Sequence, residues 1–338
     1  FWARSRVRRY LWQKMHVLGS PLEYTGTGKE LFVGFLLIVF IVFLPFGILN
    51  AILESMGLLQ NPEIATWFSA GSYLMLFYLI GVATWRARRY RLTRTRWRSI
   101  RAGLTGSSWA YGALYLLFTL GKALLVLLPP LQNMKLWRLE MQNTHIGNSF
   151  VVFDKDNKSR DVLIRLYRNY FLTGLLAILI IFVPLIYIYT IMGPDMLDAS
   201  LTKAQLDERL ALHISAHEEF IVALPWMVPL AVIFLIVAMS WYKLRETRLL
   251  MSLTTFENLT LTFEASLPRF LILYVGNLAI TLLTLGIGLP FAQLRYARFV
   301  ATHLQVDGEL DLAGITQSAD DDLTNGEGLA DAFDMGAV

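Results

Sequence analysis

His213 and His217 stand four residues apart in the amphipathic stretch from Leu206 to Phe220, with Glu218 and Glu219 directly after them. On a helix this spacing puts both imidazoles on one face, where they could ligate a metal. The protease form of such a pair needs Glu immediately after the first His; Ile214 stands there instead, and no third ligand is evident. A solvated or pH-sensitive helix face is the plainer reading, and no cofactor is expected. Lys122 is a second candidate, a lone ammonium inside a long apolar run. Placing such a charge near hydrocarbon costs at least about 2.5 kcal/mol, so it needs water or a polar partner. Asn277 offers a comparable polar contact in a later apolar run.

Eight arginines, Arg86, Arg88, Arg89, Arg91, Arg94, Arg96, Arg98 and Arg101, follow one another with no acid between them. Their chemistry suits phosphate on anionic lipid headgroups, which are the expected partner. Nucleic acid is the rival for so many arginines and is not expected, because the run lies beside an apolar segment. Thr25-Gly26-Thr27-Gly28-Lys29-Glu30 superficially has a phosphate-loop look but lacks the required spacing, since Glu30 follows the Lys. Ser-His-Asp sets, paired carboxylates inside apolar runs and dinucleotide fingerprints are all missing, so an enzyme is not expected.

The elements that must carry these residues are apolar. The chain has 338 residues, 55% of them hydrophobic and 17% charged, with a mean hydropathy of +0.50, more apolar surface than a water-facing protein accommodates. Runs close to the roughly 20 residues that cross a bilayer occur at 31 to 53, 64 to 85, 108 to 131, 170 to 192, 222 to 242 and 270 to 292. Each is continuously apolar rather than alternating, which predicts helices. There is no cysteine, so disulfides and thiolate chemistry are ruled out. The opening Phe1-Trp2-Ala3-Arg4 has neither an initiator Met nor an apolar leader, and the natural chain is expected to begin upstream.

Charge assigns sides. From Asp307 onward there are nine acids and no Lys or Arg, leaving 30 basic against 17 acidic side chains elsewhere. The basic linkers at 4 to 14 and 86 to 101 should face the cytoplasm, and the acidic link at 193 to 221 should face outward. The linker at 131 to 169, with seven bases and four acids, fits that scheme only if the segment at 108 to 131 re-enters on the side it left; Gly121-Lys122 and Pro129-Pro130 are places where a helix can turn. Positive-inside failing for this longer linker is the other option.

Trp2-Ala3-Arg4-Ser5-Arg6-Val7-Arg8-Arg9-Tyr10 aligns with Phe291-Ala292-Gln293-Leu294-Arg295-Tyr296-Ala297-Arg298-Phe299, and a weaker copy runs from Leu128-Pro129 through Gly147. Each copy reads as a basic helix, a Gly turn and a short alternating stretch, such as Leu22-Glu23-Tyr24 or Phe150-Val151-Val152-Phe153, suited to a small cytoplasmic β-hairpin. The expected fold is therefore an all-α integral membrane protein of two repeats, each with three hydrophobic segments. Residues 1 to 130 form the first, 131 to 292 the second, 293 to 315 a third copy of the basic unit, and 316 to 338 a disordered acidic tail.

Phe1-Trp2-Ala3-Arg4, Val7-Arg8-Arg9-Tyr10-Leu11, Glu23 to Leu31, Tyr90 to Arg98 and Thr284-Leu285-Gly286 before Pro290-Phe291 together resemble the YjgN-like family, bacterial inner-membrane proteins built on domain of unknown function 898. The resemblance implies a membrane location and a further hydrophobic segment upstream. It supplies no catalytic residue. Arg101-Ala102-Gly103 departs from the Arg-Phe-Gly ending such proteins carry. A transporter or channel for a small solute or lipid-related molecule is the expected function, with a membrane scaffold binding anionic lipids or a protein as the alternative.

Overall fold

A computed structural model describes residues 1–125, 127–192, 202–203, 205, 208, 212, 218–309 and 314–317. Helix α1 (Trp2–Lys14) leads into strands β1 (His16–Val17) and β2 (Ser20–Tyr24). Helices α2 (Gly28–Ile38) and α3 (Leu44–Ser55) are joined by a π-helical turn, Val39–Phe43, and α4 runs from Pro62–Thr93. The π turn sits just before Pro45, whose missing N–H and bulky ring disrupt the regular i to i−4 ladder. Then come β3 (Thr95–Trp97), β4 (Ile100–Leu104), α5 (Ser108–Leu124), α6 (Pro129–Gln142), β5 (Thr144–Ile146) and β6 (Ser149–Phe153). The remainder is α7 (Ser159–Met192), α8 (Glu218–Met251), β7 (Thr254–Phe256), β8 (Leu259–Phe263), α9 (Leu267–Leu283), α10 (Leu289–His303) and β9 (Leu304–Asp307).

The nine strands form one antiparallel sheet in sequence order, β1 through β9. Four hairpins close through two-residue loops, Leu18-Gly19, Arg98-Ser99, Gly147-Asn148 and Glu257-Asn258. The positive φ angles at Leu18, Gly19, Arg98, Ser99, Gly147 and Glu257 are those that right-twisted strands demand of so short a turn. Between hairpins the chain departs on helices and returns to the neighbouring strand. The residues flanking each departure are paired: Tyr24↔Thr95, Leu104↔Thr144, Phe153↔Thr254 and Phe263↔Leu304.

This sheet overturns the all-α, two-repeat expectation. The alternating stretches at 22–24 and 150–153 are not isolated hairpin units; they are strands of a continuous sheet. Strands of two to five residues vanish inside a hydropathy window tuned to a bilayer, and a lone hairpin is at best marginal until neighbours pair with it. The count of spans changes too. Among the described residues three helices are long and apolar enough to cross a membrane, Gly28–Ser55, Pro62–Thr93 and Ser159–Phe182; Leu267–Leu283 is apolar but shorter. The run at 108 to 131 is two helices, because α5 stops at Leu124 and α6 starts at Pro129. In the same way the run at 270 to 292 is divided between α9 and α10.

The chain divides into two compact units. One comprises Phe1–Arg160, Leu250–Glu264 and the described part of Leu273–Val338; the other comprises Asp161–Leu249 with Ala265–Ile272. The first holds the sheet. Its core joins Trp85 of α4, Leu104 of β4, Tyr111 of α5 and Leu136 of α6. Gly81 and Gly112 let α4 and α5 approach closely: a Cβ on Gly81 would lie 2.9 Å from the Gly112 Cα. In the three candidate spans only 11%, 6% and 17% of the apolar window is buried, so their side chains, Trp67 among them at 78% exposure, need an apolar surrounding.

Candidate functional site

The arginine run is ordered by α4, β3 and β4, and much of it is spent on contacts within the chain. Arg88 Nη1 lies 2.6 Å from Glu140 Oε2 of α6, and the Tyr111 hydroxyl of α5 donates to Glu140 Oε1 at 2.7 Å. A similar group stands at the start of α2, where Glu30 Oε2 accepts from the Tyr90 hydroxyl at 2.9 Å and lies 3.1 Å from Arg94 Nε. Arg86 Nε donates to Ser108 Oγ at 3.2 Å, with its guanidinium 5.0 Å from the Trp109 ring. Arg98 Nε donates to Ser20 Oγ at 2.8 Å, and Arg96 sits across the ladder from Glu23 and Arg101. Arg89, Arg91 and Arg101 are half-buried; of the eight only Arg98 is exposed. Burial, and then the charge of Glu140, push the Tyr111 phenol above its ordinary value, so it remains the donor.

Lys122 lies in the last turn of α5 and is exposed. Asn277 belongs to a different helical pair: its Nδ2 donates to the Ala292 carbonyl at 3.3 Å, bridging α9 and α10, while its Oδ1 is buried with no hydrogen-bond partner among the described residues. His213 and His217 lie outside the described residues. Among the described residues no group of three or more His, Cys, Asp or Glu is placed to hold a metal. The acidic tail beyond Gln317 also lies outside them.

Sequence reasoning missed the most fully built feature. Near the hairpin loops, Leu22, Trp97, Ile100, Ile146, Val151, Phe256 and Leu259 gather around one side chain, Ile315, which is buried. The register sets most of them in two runs, since Leu22 faces Trp97 and Trp97 faces Ile100, while Val151 faces Phe256 and Phe256 faces Leu259; Ile146, on β5 between the runs, faces Ala102 and Ser149. The segment 314–317 crosses the β5–β6 loop. Asn148 N donates to the Thr316 carbonyl and Asn148 Oδ1 accepts from Thr316 N, both at 3.0 Å; Asn148 Nδ2 donates to the Gly314 carbonyl at 3.1 Å. Arg101 N donates to Gln317 Oε1 at 2.9 Å. The segment passes close over Gly147, at φ +58°, where a Cβ would overlap the Thr316 carbonyl oxygen. The only hint in the sequence is Ile315 itself, an aliphatic residue just ahead of an acidic stretch rich in Gly and Ala.

A family model described as bacterial protein of unknown function (DUF898) matches residues 1–332. The chain belongs to this family. Sheet, helices and the segment at Ile315 all fall inside the matched region of the DUF898 chain. No curated protein and no solved structure matches it.

Proposed function

We propose that this DUF898 chain is a multi-pass protein of the bacterial inner membrane that serves as a scaffold, its apolar helices anchoring a sheet that holds a partner at the cytoplasmic surface beside anionic headgroups. The observation behind this reading is the sheet: seven of its nine short strands, β2 through β8, bring apolar side chains together near the hairpin loops, and that cluster already accepts a segment from the far end of the chain. Sheets that present an apolar row and free edges recognise extended chains. The arginine-rich end of α4 leads directly into β3 and β4, and the tendency of basic segments to stay inside supports a cytoplasmic sheet. The reading involves no catalytic step and no cofactor. Its sidedness is tested with an impermeant maleimide on Glu54→Cys, at the end of α3, and Thr260→Cys, in β8, in a chain that has no other thiol. Right-side-out vesicles should label position 54 and spare 260, and inverted vesicles should do the reverse. Labelling of both from one side overturns the proposal.

Transport of a small solute or lipid-related molecule is the second reading, favoured by one observation. Gln132 Oε1 in α6 and Asn277 Oδ1 in α9 are buried without hydrogen-bond partners among the described residues, and both stand on the short helical pairs. Saturable flux into proteoliposomes that falls with Asn277→Leu would replace the scaffold with a transporter.

A further inference from the structure

The contacts of residues 314–317 are divided in an instructive way. Asn148 makes three hydrogen bonds to the segment, and all three go to backbone atoms, two carbonyls and one N–H. Such bonds hold any extended chain and read no side chain. Sequence is read at the apolar ring around Ile315 and at the Arg101 N–H, which donates to the Gln317 side-chain carbonyl. The ring is formed by strands β2 through β8, so it exists independently of the segment that fills it, and one aliphatic side chain completes it. Gly147 keeps the approach open above the β5–β6 loop.

We propose that the hairpin loops of this sheet form a peptide clamp, that residues 314–317 are its resident occupant, and that its partner is an extended segment of another protein carrying an aliphatic residue two positions before a side-chain amide. The proposal rests on the scaffold reading for its biological use and names the partner class that reading leaves open. The resident segment competes in cis, and a short tether gives it an effective concentration in the millimolar range, so a partner peptide must match that level or meet a weakened segment. The clamp is therefore closed at rest and opens by exchange.

The test uses the full chain in detergent micelles, where membrane sidedness has no influence. Ile315→Cys supplies a single thiol, and its maleimide labelling rate reports whether the segment is seated. Thr260→Cys, at an exposed strand position, sets the rate for an open site. Cys at 315 should label far more slowly than Cys at 260. Adding the peptide Ala-Gly-Ile-Thr-Gln-Ser at millimolar concentration should accelerate it, and the same peptide with Asp in place of Ile should not. Asn148→Ala removes the two side-chain bonds, each contributing about 1 kcal/mol, and should accelerate labelling on the order of 10- to 30-fold without peptide. Equal rates at 315 and 260 would mean the segment is not seated. A slow rate that no peptide changes would mean a permanent latch. Either result overturns the clamp, and neither touches the vesicle test of the scaffold.

Discussion

Glu140 is the residue whose removal should be felt most in the sheet-bearing unit. It sits on α6 and accepts from Tyr111 of α5 while pairing with Arg88 of α4, so one carboxylate ties three helices beside the Trp85 core. The side chains of Arg88 and Glu140 are 26% and 16% exposed, so solvent screens the pair only in part. Glu140→Ala strands both partners. An unsatisfied buried hydroxyl costs about 1–3 kcal/mol and a partly screened guanidinium on the order of 1 kcal/mol, giving roughly 2–4 kcal/mol in all. Glu140→Gln keeps a carbonyl for Tyr111 and loses only the charge, so it should cost about 1 kcal/mol. In the double variant with Arg88→Ala, the loss should fall short of the sum of the two single losses by 1 kcal/mol or more, because each single change already breaks the pair. Denaturant titration in micelles, followed by tryptophan fluorescence with Trp85 as a local reporter, measures the four variants against the unaltered chain. If Glu140→Gln proves as damaging as Glu140→Ala, or if the two single losses simply add, the carboxylate is not acting as this three-helix tie.

Three further expectations come from local geometry. Ser99 holds φ +66° in a two-residue hairpin loop with no glycine, so Ser99→Gly should stabilise the protein by roughly 0.5–1 kcal/mol in the same titration; a loss would show that the Ser99 side chain matters to the turn. A Cβ on Gly103 would overlap the imidazole of buried His145, which is held by the Gly147 carbonyl at 2.9 Å from Nδ1. Gly103→Ala should therefore destabilise by about 1–3 kcal/mol, less in a His145→Ala background, and equal losses in the two backgrounds would refute the overlap. The raised Tyr111 phenol adds stability that is complete below the ordinary phenol value of about 10 and is lost as pH climbs from there toward the higher folded value. Tyr111→Phe should flatten the decline in stability between pH 9 and 11; an unchanged slope would remove Tyr111 as its source.

What could be read in the sequence was local. The alternation at Leu22-Glu23-Tyr24 and at 150–153 marks residues that are strands, and Pro129-Pro130 marks where α6 starts after the run is interrupted, whereas α5 continues through Gly121-Lys122 to Leu124. Partners far apart in the chain were out of reach. Arg88 meets Glu140 across 52 positions, and the ring around Ile315 draws residues from Leu22 to Leu259. A dense arginine run looks the same whether it faces phosphate or its own glutamates, because the charge pattern is local and the answering carboxylates are not. Hydropathy, for its part, registers twenty apolar residues in a row and cannot register that the row is two helices.

Strand pairing also bears on a tension visible in the charges. The basic linker at 131 to 169 sits awkwardly if 108 to 131 crosses a bilayer once, since it would then lie opposite the arginines at 86 to 101. In the fold, Leu104 before α5 pairs with Thr144 after α6, so whatever path the two helices take, both of their ends are fixed to adjacent strands of one sheet. Five-ångström spacing between neighbouring strands leaves no room for a membrane between them. The same constraint binds the other three departures, through Tyr24↔Thr95, Phe153↔Thr254 and Phe263↔Leu304. Any bilayer entered between those paired ends would have to be crossed an even number of times or not at all. Both basic linkers thus run into strands of one sheet for a reason that owes nothing to hydropathy: the hydrogen bonds of the ladder join them.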